Sequence, residues 1–229
     1  MIDASSSELI KEFTKNKTGL IGIGILLGLV IISVIAATTI PIDTFKQWNN
    51  PTNWISYPKT AVPIWVNYFV SNKIPEHIVI ENPAIMTKMD KISVTSHQFE
   101  IEFLADDFPN GFIYEFTAEY SGSPLLQIHV IRPDQSNVLL LSTSLPNSDT
   151  KTTHSERIFS TDDIIRKNVQ IKSRGLGFYY DGIPAEDLIF ADNEQKILKG
   201  NYLFLVNLYD VNEHTEIINS KLILGGKVF

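Results

Sequence analysis

The residues best suited to metal ligation or proton transfer are five histidines, at positions 77, 97, 129, 154 and 214. None has a second histidine one helical turn away, and no HExxH segment occurs, so none has the spacing of a zinc pair. They read as surface or strand-edge residues. The chain has no cysteine, which removes disulfides, thiolate metal sites and cysteine nucleophiles. Asp106, Asn110 and Gly111 resemble the start of a calcium loop. However, Phe108 stands where an oxygen ligand is required, and Thr117 where the bidentate glutamate belongs. Asp106–Gly111 is therefore read as a hairpin turn. Gly175 and Gly177 lack the third glycine of a phosphate-binding loop, and neither a nucleophile elbow nor a Walker lysine is present. The acidic pairs Asp106-Asp107 and Asp162-Asp163 suit a turn and a helix start. The expectation is a chain without catalytic residues, cofactor or metal.

The elements around these residues are organised by Gly19–Ile40, a run with no charged side chain and only Ser33, Thr38 and Thr39 as polar ones. An α-helix of that length crosses about 30 Å of hydrocarbon, so a transmembrane helix is expected over 19–41. Lys11, Lys15 and Lys17 precede it and only Lys46 lies close behind, which places residues 1–18 in the cytoplasm and the rest outside. A cleaved signal peptide ending near Ala36-Ala37 is the alternative, but the apolar run is longer than such peptides use. Within residues 1–18, Ser5 and Glu8 have capping-box spacing, and Leu9, Ile10 and Phe13 make an apolar stripe, as in a short amphipathic helix at the inner surface. Gly24, Gly28 and Ala36 put small residues on one face of the spanning helix, where another helix can pack closely. Phe45, Trp48, Trp54, Tyr57 and Trp65 follow on the outer side, ring types that favour the lipid headgroup layer.

Residues 42–74 form a Pro/Trp-rich collar whose prolines at 51, 58 and 63 forbid a long helix. A short helix over 64–70, started by Pro63, is the exception expected. Residues 75–229 read as strands. Phe99, Ile101 and Phe103 alternate with Glu100 and Glu102, and Phe112 to Tyr120 repeats the pattern. Further strands are expected at 126–130, 138–142, 202–209 and 216–224, with one helix over 162–174. The fold class expected is one transmembrane α-helix followed by a mainly-β, antiparallel β-sandwich-like extracytoplasmic domain with a short helical insertion. The net charge of −7 lies entirely beyond the membrane run, which argues against a nucleic-acid partner.

Two segments resemble a known family. Phe13, Asn16, Lys17 and Gly22 match an F-x-x-N-K-x-G/A-x-x-G segment that leads into the first membrane helix of peptide-transporter permeases of the OppC/DppC type. Pro58, Ala61, Pro63, Trp65 and Asn67 match the P-x-x-A-x-P-x-W-x-N segment after that helix in archaeal members, which carry a large extracytoplasmic domain between their first two helices. In those proteins a G-T-D-x-x-G-R-D segment follows that domain, and here it would be expected after Gly225–Phe229. The resemblance implies the N-terminal part of an ABC importer of peptides or similar small solutes. Its implied partners are a second permease subunit, ATPase subunits, a substrate-binding protein and membrane lipid. The family's remaining membrane helices and its coupling loop are not in this sequence. A single-pass β-sandwich for adhesion or pilin-like filament assembly is the alternative, with an anchored enzyme third.

Overall fold

The computed structural model describes residues 17–48, 50, 54, 58, 60–81, 83–89, 93–175, 183–192, 194–210 and 215–228. Phe13, Asn16, His214, Gly177 and the amphipathic segment before residue 17 lie outside them. Two compact units divide between Ile55 and Ser56.

In the first unit, helix α1 spans Lys17–Thr39, 23 residues or about 35 Å. Its side chains are leucine, isoleucine and valine all round, with no buried face. That composition suits lipid rather than a protein core, and α1 is the one described helix long and apolar enough to cross a membrane. The hydroxyls of Thr38 and Thr39 donate back to the carbonyls of Val34 and Ile35, so the polar tail of the run is satisfied within the helix. A short helix α2, Ile42–Gln47, follows after Pro41. Trp48 and Trp54 then meet edge to face at 4.8 Å, and the Trp54 indole donates to the Trp48 carbonyl.

The second unit is a β-sandwich. Its strands are β1 Ile78–Ile80, β2 Ala84–Met89, β3 Ser93–Phe103, β4 Phe112–Gly122, β5 Leu125–Ile131, β6 Asn137–Ser144, β7 Ser148–Phe159, β8 Gly200–Asp210 and β9 Glu216–Leu224. They form a four-stranded sheet, β1-β9-β4-β7, and a five-stranded sheet, β2-β3-β8-β5-β6, with antiparallel pairing throughout. The alternation seen in the sequence is the cause. On β4, Phe112, Tyr114, Phe116, Ala118 and Tyr120 point inward, and on β8 Tyr202, Phe204, Val206 and Leu208 do the same. Phe99 meets Tyr114 and Phe112 meets Phe204 edge to face across the two sheets. Helix α3, Asp163–Gly175, buries Ile165 and Val169, and helix α4, Ala185–Phe190, inserts Phe190 between Phe103 and Tyr202.

Two sequence expectations are corrected here. Asp106–Gly111 is not a hairpin turn, because β3 and β4 belong to different sheets and the segment crosses between them. His97 is not a surface or edge residue. It is 3% exposed, and its Nδ1 lies 2.7 Å from the Ser220 hydroxyl, itself buried. Burial holds the imidazole below its usual pKa.

Candidate functional site

The most built feature outside the core is the end of the sandwich where the chain enters and leaves. Pro58 starts a turn by accepting the Ala61 N–H. Ala61 then forms an antiparallel bridge with Val228, and the Val62 N–H donates to the Lys227 carbonyl at 2.9 Å. The incoming and outgoing strands are thus hydrogen-bonded to each other. Lys227 in turn donates its N–H to Pro75. One residue before it, Gly226 passes so close to the backbone at Glu76-His77 that a Cβ would sit 2.7 Å from the His77 nitrogen. Gly225 passes Asn110 as closely on the other side, and two backbone hydrogen bonds of 2.8 Å tie it to Asn110 and Gly111. Only glycine fits a strand threaded between two backbones in this way.

The crossing segment 104–111 completes the junction. Asp106 accepts from the Lys73 backbone N–H at 2.7 Å and pairs with the Lys199 ammonium. These contacts, the Lys199 hydrogen bond foremost, hold its carboxyl below the usual carboxylate range. Asp107 pairs with Lys227, and that hydrogen bond likewise lowers its pKa. The two carboxylates that read as turn formers therefore hold the incoming and outgoing segments.

Between these ties lies a ledge. A 3-10 helix over Ile64–Tyr68 starts after Pro63, as the short helix expected there. The Asn67 side chain turns inward, accepting from the Ile74 N–H at 2.8 Å while donating to the Ile74 carbonyl and to Glu76. Outward, Trp65, Tyr68 and Phe69 are 60%, 83% and 82% exposed, with Trp65 and Phe69 edge to face. Beside the ledge is an apolar hollow of about 370 Å³ lined by Pro58, Ala61, Val62, Pro63, Trp65 and His77. Pro58, Ala61, Pro63, Trp65 and Asn67, singled out by the resemblance, are thus brought together in one structure. Lys17 and Gly22 lie on α1 with Gly24, Gly28 and Ala36. No neighbouring atom lies within 4 Å of a Cβ built at Gly22, Gly24 or Gly28.

Two polar clefts mark the sheets. One, of about 620 Å³, lies on the outer face of the four-stranded sheet, where Glu115 bridges Arg157 at 2.9 Å and Lys221 at 3.1 Å. The other, of about 770 Å³, lies at the far end from the junction, between His97, Thr95, Glu216 and the Glu119–Lys151 pair. No group of three or more metal-ligating side chains occurs among the described residues. Sequence reasoning missed the junction residues Gly225, Gly226 and Lys227, although two adjacent glycines just past a strand signal a close backbone approach.

No family model matches this chain, and no curated protein does. Among solved structures, the chain is similar to one from infectious bursal disease virus, Gx strain, at 9% identity and TM-score 0.32, covering 67% of this chain and 32% of that one. It is also similar to TmCBM61 in complex with β-1,4-galactotriose, at 8% identity and TM-score 0.26, covering 69% and 91%. A third similar structure comes from carbohydrate-binding modules of the β-sandwich superfamily, at 10% identity and TM-score 0.30, covering 69% and 55%. The chain spans about a third of the length of the viral chain and about half that of the third structure. At these scores the likeness carries no argument about what this chain does.

Proposed function

We propose that this chain is the first membrane helix and extracytoplasmic domain of a permease subunit in an ABC importer of peptides or similar small solutes. The observation that supports the reading is the junction. The two ends of a domain often lie close together, and such an arrangement suits a domain carried between two consecutive membrane helices, because the chain must rise from one helix and return to the next. The Ala61–Val228 bridge fits that arrangement, and Ala61 belongs to the segment that resembles the family's segment after its first helix. In this reading residues 1–18 are cytoplasmic and the sandwich is outside, over the translocation path, where it helps dock a substrate-binding protein. The Gly24/Gly28/Ala36 face of α1 packs on the permease core, and separate subunits hydrolyse ATP.

The absence of native cysteine makes the topology directly testable. Single substitutions Ser7→Cys and Asp149→Cys are labelled in intact cells with a membrane-impermeant maleimide. Labelling of position 149 alone is expected, and labelling of position 7 from outside overturns the orientation. For the transport role, the reading frame after the Phe229 codon is expected to run into G-T-D-x-x-G-R-D and further apolar segments of spanning length. A stop codon there, with no permease or ATPase gene alongside, overturns it.

A further inference from the structure

We propose that the Ile64–Phe69 ledge is an interfacial anchor that seats Trp65, Tyr68 and Phe69 in the headgroup layer of a lipid bilayer. The proposal rests on the reading of the sandwich as an outer domain tethered by α1. Elsewhere on the sandwich, exposed large apolar side chains such as Leu104, Leu139, Ile164 and Ile218 stand singly, and Ile85 and Met86 form a pair on the edge strand β2. On the ledge Ile64, Trp65, Tyr68 and Phe69 are contiguous and more than half exposed. Contiguous exposed apolar surface marks an interaction site. Trp and Tyr carry an apolar body and a polar tip, which suits the boundary between headgroup and acyl chain.

The backbone is built to hold these rings outward. Pro63 sets the turn, Val66 and Phe69 find carbonyl partners at Pro63 and Val66, and Asn67 pins the inner side to Ile74. The ring faces are therefore presented by a rigid mount rather than by a loop that collapses onto the sheet.

Proximity to α1 selects lipid as the occupant. The ledge begins only about 25 residues after the end of α1. Tethering keeps the bilayer at a high effective concentration for it, an advantage no diffusing protein shares.

The test uses the full chain reconstituted in vesicles of phosphatidylglycerol and phosphatidylcholine. Phe69→Cys and Asp149→Cys, each the only cysteine, carry a nitroxide whose collisions with oxygen and with a water-soluble nickel chelate are measured. Both positions are exposed, so neither substitution disturbs the fold. The oxygen-to-nickel collision ratio is expected to be several-fold higher at 69 than at 149. Equal ratios overturn the anchor. So does spin–spin broadening at 69 with low collision rates for both reagents, which marks a protein contact over the ledge. Carbonate washing separates the two readings. Release of the chain shows that α1 does not span, whereas retention with a water-like signal at 69 sinks the anchor alone.

Discussion

Replacing Gly226 with alanine puts a methyl group 2.7 Å from the His77 nitrogen and 3.1 Å from both the Glu76 carbonyl carbon and the Pro75 oxygen. All three neighbours are backbone atoms, so no side chain can swing aside. Either the outgoing strand or the 75–77 segment must move by several tenths of an ångström. Overpacking of this kind costs about 1–3 kcal/mol. The same shift stretches the Lys227–Pro75 bond and the Val62–Lys227 bond, adding roughly 1 kcal/mol. The combined loss of about 2–4 kcal/mol lowers the melting midpoint of a unit this size by about 5–12 °C. The assay is thermal unfolding of the full chain in detergent micelles, followed by circular dichroism in the β-sheet band. Gly24→Ala is the control, since a Cβ there meets no neighbour within 4 Å. A Gly226→Ala midpoint within 2 °C of the parent would show that the outgoing strand is not held in place, and the junction argument would fail with it.

Asn67→Ala leaves the Ile74 N–H and carbonyl without their side-chain partner and is expected to cost about 1–3 kcal/mol in the same assay; an unchanged midpoint would show that the ledge is not pinned there. Burial lowers the pKa of His97, while the unfolded chain titrates near 6.5, so the unfolded state takes up more protons between the folded value and 6.5. The contribution of His97 is therefore complete above about pH 7 and is lost as pH falls below 6.5. His97→Gln is expected to flatten that part of the pH–midpoint curve, and parallel curves for parent and variant would refute it. Ala61→Cys with Val228→Cys places two thiols on bridged residues, about 4.5–5.5 Å apart at Cα, within disulfide reach. Oxidation is expected to give an intramolecular bond, seen as faster migration on a non-reducing gel, and its failure to form would show that the two strands do not pair.

Much of the sandwich was legible because its strands obey the two-residue period strictly. Phe99-Ile101-Phe103 and Phe112 to Tyr120 declare both the strand and the buried face. The strand Ser148–Phe159 was not legible. It lies at a sheet edge and buries only Ile158 fully, so its sequence, SDTKTTHSERIF, has no alternation to read. The DDFPNG segment was recognisable as a reversal, but turn chemistry does not say which sheet the next strand joins. That is decided by the packing of the two sheets. His97 is instructive because the signal was present. It shares parity with Phe99, Ile101 and Phe103, and β3 carries it inward for the same reason as them. Reading histidine by its type rather than its place in the alternation hid it. At the site, the motif residues 58–67 were legible as a group, but their common role was not, since it depends on the pairing of Ala61 with a residue 167 positions later.

That pairing also bears on why the junction is rigid. The bridge holds Ala61 and Val228 about 4.5–5.5 Å apart at Cα, so the two segments meet at one end of the sandwich. Asn67, the Asp107–Lys227 pair and the threaded Gly225-Gly226 strand restrain the chain on both sides of the bridge. Each restraint alone is worth a kilocalorie or a few, and the exposed ion pair least. Acting on one short stretch, they hold the ledge residues in a fixed place on the sandwich.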